Sequence, residues 1–284
     1  FESDGDVTAL GSLLVDSFTA AEFVSTGGDL DLSGDFALGD DPFAANALDL
    51  GPDQPNVFEA AGAVTVAETS PDAFGFGRVT AGGPVVVSAF DVLGVDDPDG
   101  PTGGGPGVSG FSTLTLNYID PELAASDIQV ADVGIFIDLQ GGDVPISALV
   151  DAGVTDITLT AASGDIAVGA LNQPALALTI APAAGDARLG DAFLPVGFFP
   201  PEVTLGALTV EATEGIVVEN AVTAGDMALG AGGDVDIGAP VTAGSLSVDA
   251  GGDIIVGEDV AGRFAVPGLA GAFDGALDFG GAGD

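Results

Sequence analysis

The sequence predicts an all-β chain: a parallel β-solenoid with coils of about 19 residues and a less regular N-terminal half. Three observations predict it. Residues 206–260 repeat three times without gaps at an offset of 19. Inside each repeat, apolar residues alternate with polar ones in short runs, the period-2 pattern of a strand buried on one face. The 284 residues are 47% hydrophobic yet carry 44 acidic against 3 basic side chains, a formal charge of −41. Disorder needs low hydrophobicity together with high charge, so this chain is expected to fold.

Residues 1–150 are expected to form irregular β-rich coils with loop insertions, including a cap or docking region. Alternating fragments are present at Leu30-Asp31-Leu32, Val85-Val86-Val87, Leu114-Thr115-Leu116 and Ile135-Phe136-Ile137, but their spacing is uneven. The stretch Asp96 to Pro106, rich in Asp, Pro and Gly, reads as a loop or hinge. Ser17 to Val24 is the best helix candidate in a chain with few. Gly105-Pro106-Gly107-Val108-Ser109-Gly110 has the spacing of a dinucleotide-binding loop, but strand-like Phe-Ser-Thr-Leu-Thr-Leu follows where a helix should open, so the match is read as chance.

Regular repeats are expected over 151–284. Ile157 and Leu159 recur at Leu176 and Leu178, and Gly164-Asp165-Ile166 is echoed by Gly185-Asp186-Ala187 after a short insertion. Residues 190–205 read as a longer excursion, with Pro195, Pro200 and Pro201 among Phe193, Phe198 and Phe199. Five columns then align: Leu208/Met227/Leu246, Val210/Leu229/Val248, Ile216/Val235/Ile254, Val218/Ile237/Val256 and Val222/Val241/Val260. Each unit is strand, Gly/Asp turn, strand, turn, apolar anchor. One such unit cannot cover its own apolar face; stacked copies can, with equivalent residues ~4.8 Å apart.

Composition excludes several chemistries. The chain has no Cys, His, Lys or Trp, and its basic residues are Arg78, Arg188 and Arg263. It cannot build a Ser-His-Asp triad, a Cys-His pair, a lysine Schiff base, a P-loop, or a thiolate or imidazole metal site. Three scattered arginines cannot follow a phosphate backbone, so nucleic acid is not an expected partner, nor is an anionic membrane surface. The longest uncharged run, Ile166 to Gly185, includes Pro174 and Pro182 and alternates with period 2, which argues for strands and against membrane insertion. The N-terminus, Phe1-Glu2-Ser3-Asp4-Gly5-Asp6, is acidic and lacks the order of a secretory signal, as expected of a cytosolic chain or a mature processed one.

Units of the form Gly-x-Leu-x-Val-x-Ala-x-Gly-Asp-Ile-x-Val resemble the repeats of filamentous-haemagglutinin-like secreted proteins of bacteria, and more broadly autotransporter and two-partner-secretion passengers. The close match covers 206–260 and a looser one 154–260. The resemblance implies a right-handed parallel β-helix at the cell surface, serving in adhesion, matrix or filament formation. The motif describes backbone and specifies no activity.

Candidate sites follow from these readings. Asp234 and Asp253 share one column, and Asp165 and Asp186 sit in similar Gly-Asp turns. Stacked carboxylates favour calcium, which prefers oxygen ligands; no cofactor is required, and calcium is the candidate cation. The plainer reading is that Asp accepts backbone N–H groups in turns while Gly supplies positive φ. Polysaccharide cleavage needs only two carboxylates, but Tyr118 is the one Tyr, and Trp is lacking for a sugar-binding cleft. A non-enzymatic role is therefore expected. Past Val260 the alternation continues in Phe264, Val266, Leu277 and Phe279 without an evident cap. These four, with Phe198 and Phe199, are the expected assembly contacts of a head-to-tail homopolymer outside the cell. Surface glycans are a further candidate partner, which a monomeric adhesin or carbohydrate-binding passenger would use.

Overall fold

The computed structural model describes residues 2–10, 22–34, 57–68, 73–76, 78–89, 91–94, 108–121, 128–137, 146–190 and 202–257. Among them the chain is nearly all β, in long parallel sheets. The first strands are β1 (Glu2–Ser3), β2 (Val7–Leu10), β3 (Glu22–Ser25), β4 (Leu30–Gly34), β5 (Val57–Ala60), β6 (Val64–Glu68), β7 (Ala73–Phe76) and β8 (Arg78–Ala81). Next come β9 (Val85–Ala89), β10 (Asp91–Gly94), β11 (Val108–Ser109), β12 (Thr113–Tyr118), β13 (Ile128–Ala131), β14 (Gly134–Ile137) and the helix α1 (Ile146–Asp151). The remainder are β15 (Asp156–Ala161), β16 (Ile166–Val168), β17 (Leu171–Pro182), β18 (Ala187–Leu189), β19 (Val203–Ala212), β20 (Ile216–Val218), β21 (Val222–Ala231), β22 (Val235–Ile237), β23 (Val241–Ala250) and β24 (Ile254–Val256).

Two compact units divide these elements. The first comprises residues 1–120, 133–136 and 140–157, the second residues 121–132, 137–139 and 158–284. In the first unit β1-β3-β5-β8-β11 pair in parallel, as do β2-β4-β6-β9-β12. Each short strand of the former set precedes, across a turn, a strand of the latter, and the two together make a rung. Phe23, Phe58, Val79 and Val108 fall in one column by register, all buried. The Phe23 and Phe58 rings lie parallel with centroids 5.7 Å apart, the stacking that a rung-to-rung repeat of Phe allows. Leu30, Val64, Val85 and Leu114 form a second buried column, and Leu32, Val66, Val87 and Leu116 a third. Alternation puts these residues on one face, and their burial is what orders the strands.

The irregular spacing expected here is real, yet the rungs stay in register. Asp6 and Asp29 occupy equivalent turns at a separation of 23 residues, and Asp29 and Ala63 at 34. The helix expected over Ser17 to Val24 is corrected: Glu22–Val24 belong to β3, while residues 17–21 lie outside the described residues. Helix forms instead at α1, where Ile146 and Leu149, three apart, are buried on one side. Gly153, at φ 107°, ends it: this left-handed conformation lets the Val154 N–H reach the Leu149 carbonyl. Gly110 leads into strand β12, so the dinucleotide-loop spacing opens no helix.

In the second unit β15-β17-β19-β21-β23 pair in parallel, as do β13-β16-β18-β20-β22-β24. The columns read from sequence recur as Cα partners: Leu208, Met227 and Leu246; Val210, Leu229 and Val248; Ile216, Val235 and Ile254; Val218, Ile237 and Val256. Val203 joins Val222 and Val241 in the fifth, while Val260 lies outside the described residues. Register slips between Gln173 and Ala177 of β17, where Pro174, lacking an N–H, sits in a bulge.

Candidate functional site

The four candidate aspartates fall in one column. The strands β16, β18, β20, β22 and β24 start in register at Ile166, Ala187, Ile216, Val235 and Ile254, so the residues just before them stack as Asp165, Asp186, Gly215, Asp234 and Asp253. Each described acceptor in this column takes the backbone N–H of the next rung. Asp165 Oδ1 accepts from Asp186 N at 2.9 Å, Asp186 Oδ1 from Gly215 N at 2.7 Å, and Asp234 Oδ1 from Asp253 N at 2.8 Å. An N–H donor facing a carboxylate oxygen is a charge-assisted bond, stronger than its neutral counterpart. Burial falls along the column: Asp165 is buried, Asp186 half-buried, Asp234 and Asp253 exposed.

The accepted hydrogen bonds match the plainer sequence reading, with the donor one rung away instead of inside the turn. The role assigned to glycine needs correction. Gly164 has positive φ, at 80°, but most turn glycines of the column do not. Gly232 and Gly251 are required for another reason: a Cβ at Gly251 would collide with the Gly232 carbonyl oxygen, and one at Gly232 with that of Thr213. Rungs approach too closely there for any side chain.

One cation lies beside this column, on β18. Arg188 Nη2 is 3.4 Å from Asp165 Oδ2, so the most buried aspartate is also the one with a counter-charge. The Arg188 Nε and the Oε1 of Gln129 are buried without a hydrogen-bond partner among the described residues. No group of three or more acidic side chains placed to hold a metal ion occurs among the described residues.

A second turn column, in the first unit, escaped the sequence reading. Asp6 Oδ1 accepts from Asp29 N at 3.1 Å, and Asp29 Oδ1 from Ala63 N at 2.8 Å. Its signal was local: Gly5-Asp6-Val7 and Gly28-Asp29-Leu30 carry the same Gly-Asp-apolar tripeptide as Gly164-Asp165-Ile166. Asp132 was missed as well. Its carboxylate accepts from Asn172 N at 3.0 Å and from Gln173 Nε2 at 2.8 Å, tying a turn to the start of β17.

The expected assembly contacts Phe198, Phe199, Phe264, Val266, Leu277 and Phe279 all lie outside the described residues. What the structure adds is the last described rung, β23 and β24. Met227 and Leu229 are 3% and 2% exposed and Val235 and Ile237 no more than 1%, yet their partners Leu246, Val248, Ile254 and Val256 are only half-buried, and Ile255 is 47% exposed. Among the described residues no strand pairs with the outer edge of β23 or β24. No described helix is long and apolar enough to cross a membrane.

Fold and site together define a parallel-stranded repeat architecture with hydrogen-bonded acidic turns. Comparison with known proteins finds no matching family model, no matching curated sequence and no matching solved structure.

Proposed function

We propose that the paired strand sets close into coils of a right-handed parallel β-helix, and that the protein is an extracellular structural subunit stacking head to tail into a surface filament or matrix. The observation that carries this reading is the last described rung. Leu246, Val248, Ile254 and Val256 occupy columns buried upstream, and here they are half-buried, with no strand paired beyond them among the described residues. In this reading the columns continue into further rungs of the same kind, and where a second copy supplies the next rung the contact is heterologous and propagates instead of closing. Phe264, Val266, Leu277 and Phe279 belong to the same contact in this reading, with Phe198 and Phe199 as further assembly contacts. No catalytic role is assigned. Calcium at Asp234 and Asp253 is a stabiliser and not a requirement.

Electron microscopy of the purified chain, with light scattering over a concentration series, tests the proposal. Unbranched filaments are expected. Strictly monomeric protein at high concentration, salt and calcium would refute it and leave the monomeric adhesin or carbohydrate-binding fragment; release of sugars from a glycan panel would point to the polysaccharide-active enzyme.

A further inference from the structure

A polar cluster on β13 and β18 has hydrogen-bonding capacity that the chain leaves unused. By register Gln129, Ala167 and Arg188 share one column. Ile128, Ile166 and Ala187 form the buried column on one side of it, and Val130, Val168 and Leu189 that on the other. Alternation therefore turns Gln129, Ala167 and Arg188 to the opposite face of the sheet. Further along this column Val217 and Asp236 are half-buried, as residues near solvent should be. Gln129 departs from that pattern: it is 8% exposed, and its Oε1 is buried without a hydrogen-bond partner among the described residues. Arg188 Nε is in the same state, although 36% of that side chain is exposed. Asp165, in the turn before β16, gives its Oδ1 to the Asp186 N–H. Its Oδ2 stands 3.4 Å from Arg188 Nη2, longer than a charge-assisted hydrogen bond.

We propose that Gln129, Asp165 and Arg188 bind a neutral ligand bearing adjacent hydroxyl groups, a sugar unit. The two orphaned atoms are of opposite kind: an amide oxygen needs a donor and a guanidinium N–H needs an acceptor. Their backbones stand two rungs, about 10 Å, apart, and the residue between them, Ala167, contributes only a methyl group. Buried polar groups without partners are costly, and few persist in a folded chain unless a ligand, ion or water meets them. Charge decides among small ligands. An anion would meet Arg188 but also the Asp165 carboxylate and the field of a chain at −41. A cation drawn to Asp165 and the Gln129 oxygen would face the guanidinium beside that carboxylate. A hydroxyl is neutral and both donates and accepts. One can donate to Gln129 Oε1 while its neighbour on the ring accepts from Arg188 Nε, and Asp165 Oδ2 can accept from a further one. The partly exposed Arg188 side chain is the approach from solvent. This site works by recognition alone and does not depend on stacking.

Saturation-transfer NMR and calorimetry of the full chain with glucose, galactose, mannose and N-acetylglucosamine test the proposal. Dextran beside glucose separates a free sugar from a unit within a glycan. At least one probe should bind wild type saturably. Gln129→Met keeps the length of the side chain, removes the acceptor and should weaken that binding about 2–10-fold. Arg188→Lys keeps a charge opposite Asp165, removes the Nε–H and should weaken it about tenfold or more. Urea unfolding without sugar supplies a second readout. With Oε1 unpartnered, Gln129→Met should be at least as stable as wild type. Stabilisation by sugars as excluded cosolutes is general, so it is equal in all three proteins and does not saturate. Saturable binding of no probe would overturn the proposal, as would binding that both variants retain in full. A Gln129→Met protein clearly less stable than wild type without sugar would also overturn it, because Oε1 would then already have a partner such as water. Failure on any of these counts leaves the stacking reading standing, and monomers in the filament assay leave this site standing.

Discussion

Asp186 separates two roles that a carboxylate can have in a stack of turns. Its Oδ1 accepts the Gly215 N–H at 2.7 Å, and its own N–H donates to Asp165 Oδ1 at 2.9 Å. Both Asp186 and Gly215 are half-buried, so water replaces a lost bond only in part. Asp186→Ala leaves the Gly215 N–H without this acceptor and should cost about 1–3 kcal/mol. Asp186→Asn keeps a carbonyl oxygen in the same place and removes the charge. A neutral acceptor is weaker by about 1 kcal/mol. Against that loss stands relief of repulsion from Asp165 one rung away, about 0.9 kcal/mol for unit charges ~4.8 Å apart in water. Arg188, 3.4 Å from Asp165, already offsets part of that repulsion. The Asn variant should therefore lie within about 1 kcal/mol of wild type, closest at low salt where the relieved repulsion is largest. Urea unfolding followed by far-ultraviolet circular dichroism at low and high salt measures both variants. An Ala variant as stable as wild type would show that the inter-rung bond contributes nothing. An Asn variant as damaged as the Ala variant would show that the negative charge matters more than the acceptor, which is the behaviour of a cation site.

Three further outcomes are expected. Leu208→Ala, at a buried position, should lose about 2–5 kcal/mol, and Leu246→Ala, half-buried in the same column, clearly less; equal losses by urea unfolding would contradict the burial difference. Millimolar calcium should raise the melting temperature above that in sodium chloride of equal ionic strength, and the gain should vanish in Asp234→Asn/Asp253→Asn; chelator should leave the protein folded, and identical melting in both salts would reduce the column to backbone acceptors. Deleting residues 264–284 should abolish polymers while the circular dichroism of the remaining chain stays β-rich, and polymers of undiminished length would remove Phe264, Val266, Leu277 and Phe279 from the contact.

The sequence made the 206–256 columns legible because two regularities coincide there: alternation says which face a residue takes, and a constant offset says what it stacks upon. Each fails alone in a characteristic way. Alternation placed Leu246 inside, correctly as to face, but nothing in a residue's own neighbourhood states whether a further rung lies above it. The Asp6 and Asp29 turns have the right tripeptide without the offset, so they read as isolated fragments. The Arg188–Asp165 pair needs the rung length of 21 residues before the two side chains can be seen as neighbours. Gly232 and Gly251 look like ordinary turn glycines, since a collision between successive rungs leaves no trace in a single turn. The helix was misplaced because six residues hold too little periodicity to find, and its end depends on Gly153.

Loop closure explains how one architecture accommodates both regular and irregular spacing. Equivalent turn residues are 19 apart between Asp234 and Asp253 but 34 apart between Asp29 and Ala63, with the same Oδ1-to-N–H bond at each step. For a flexible connection, lengthening from one separation to the other costs only about 0.5 kcal/mol, since the penalty grows with the logarithm of length. Burying one Val or Leu side chain in a column returns about 1.5–3 kcal/mol, and each rung of the first unit contributes several, such as Leu30 and Leu32 or Val64 and Val66. Stack energetics therefore depend on the columns and hardly at all on what joins them. Insertions can accumulate between rungs without disturbing the register, and the constraint falls on the few residues that touch the next rung: the apolar alternation, the acceptor aspartate and the glycine beneath a carbonyl. The same reasoning applies at the β23–β24 edge. Any rung that supplies those elements, whatever precedes or follows it in sequence, meets the requirements of that edge.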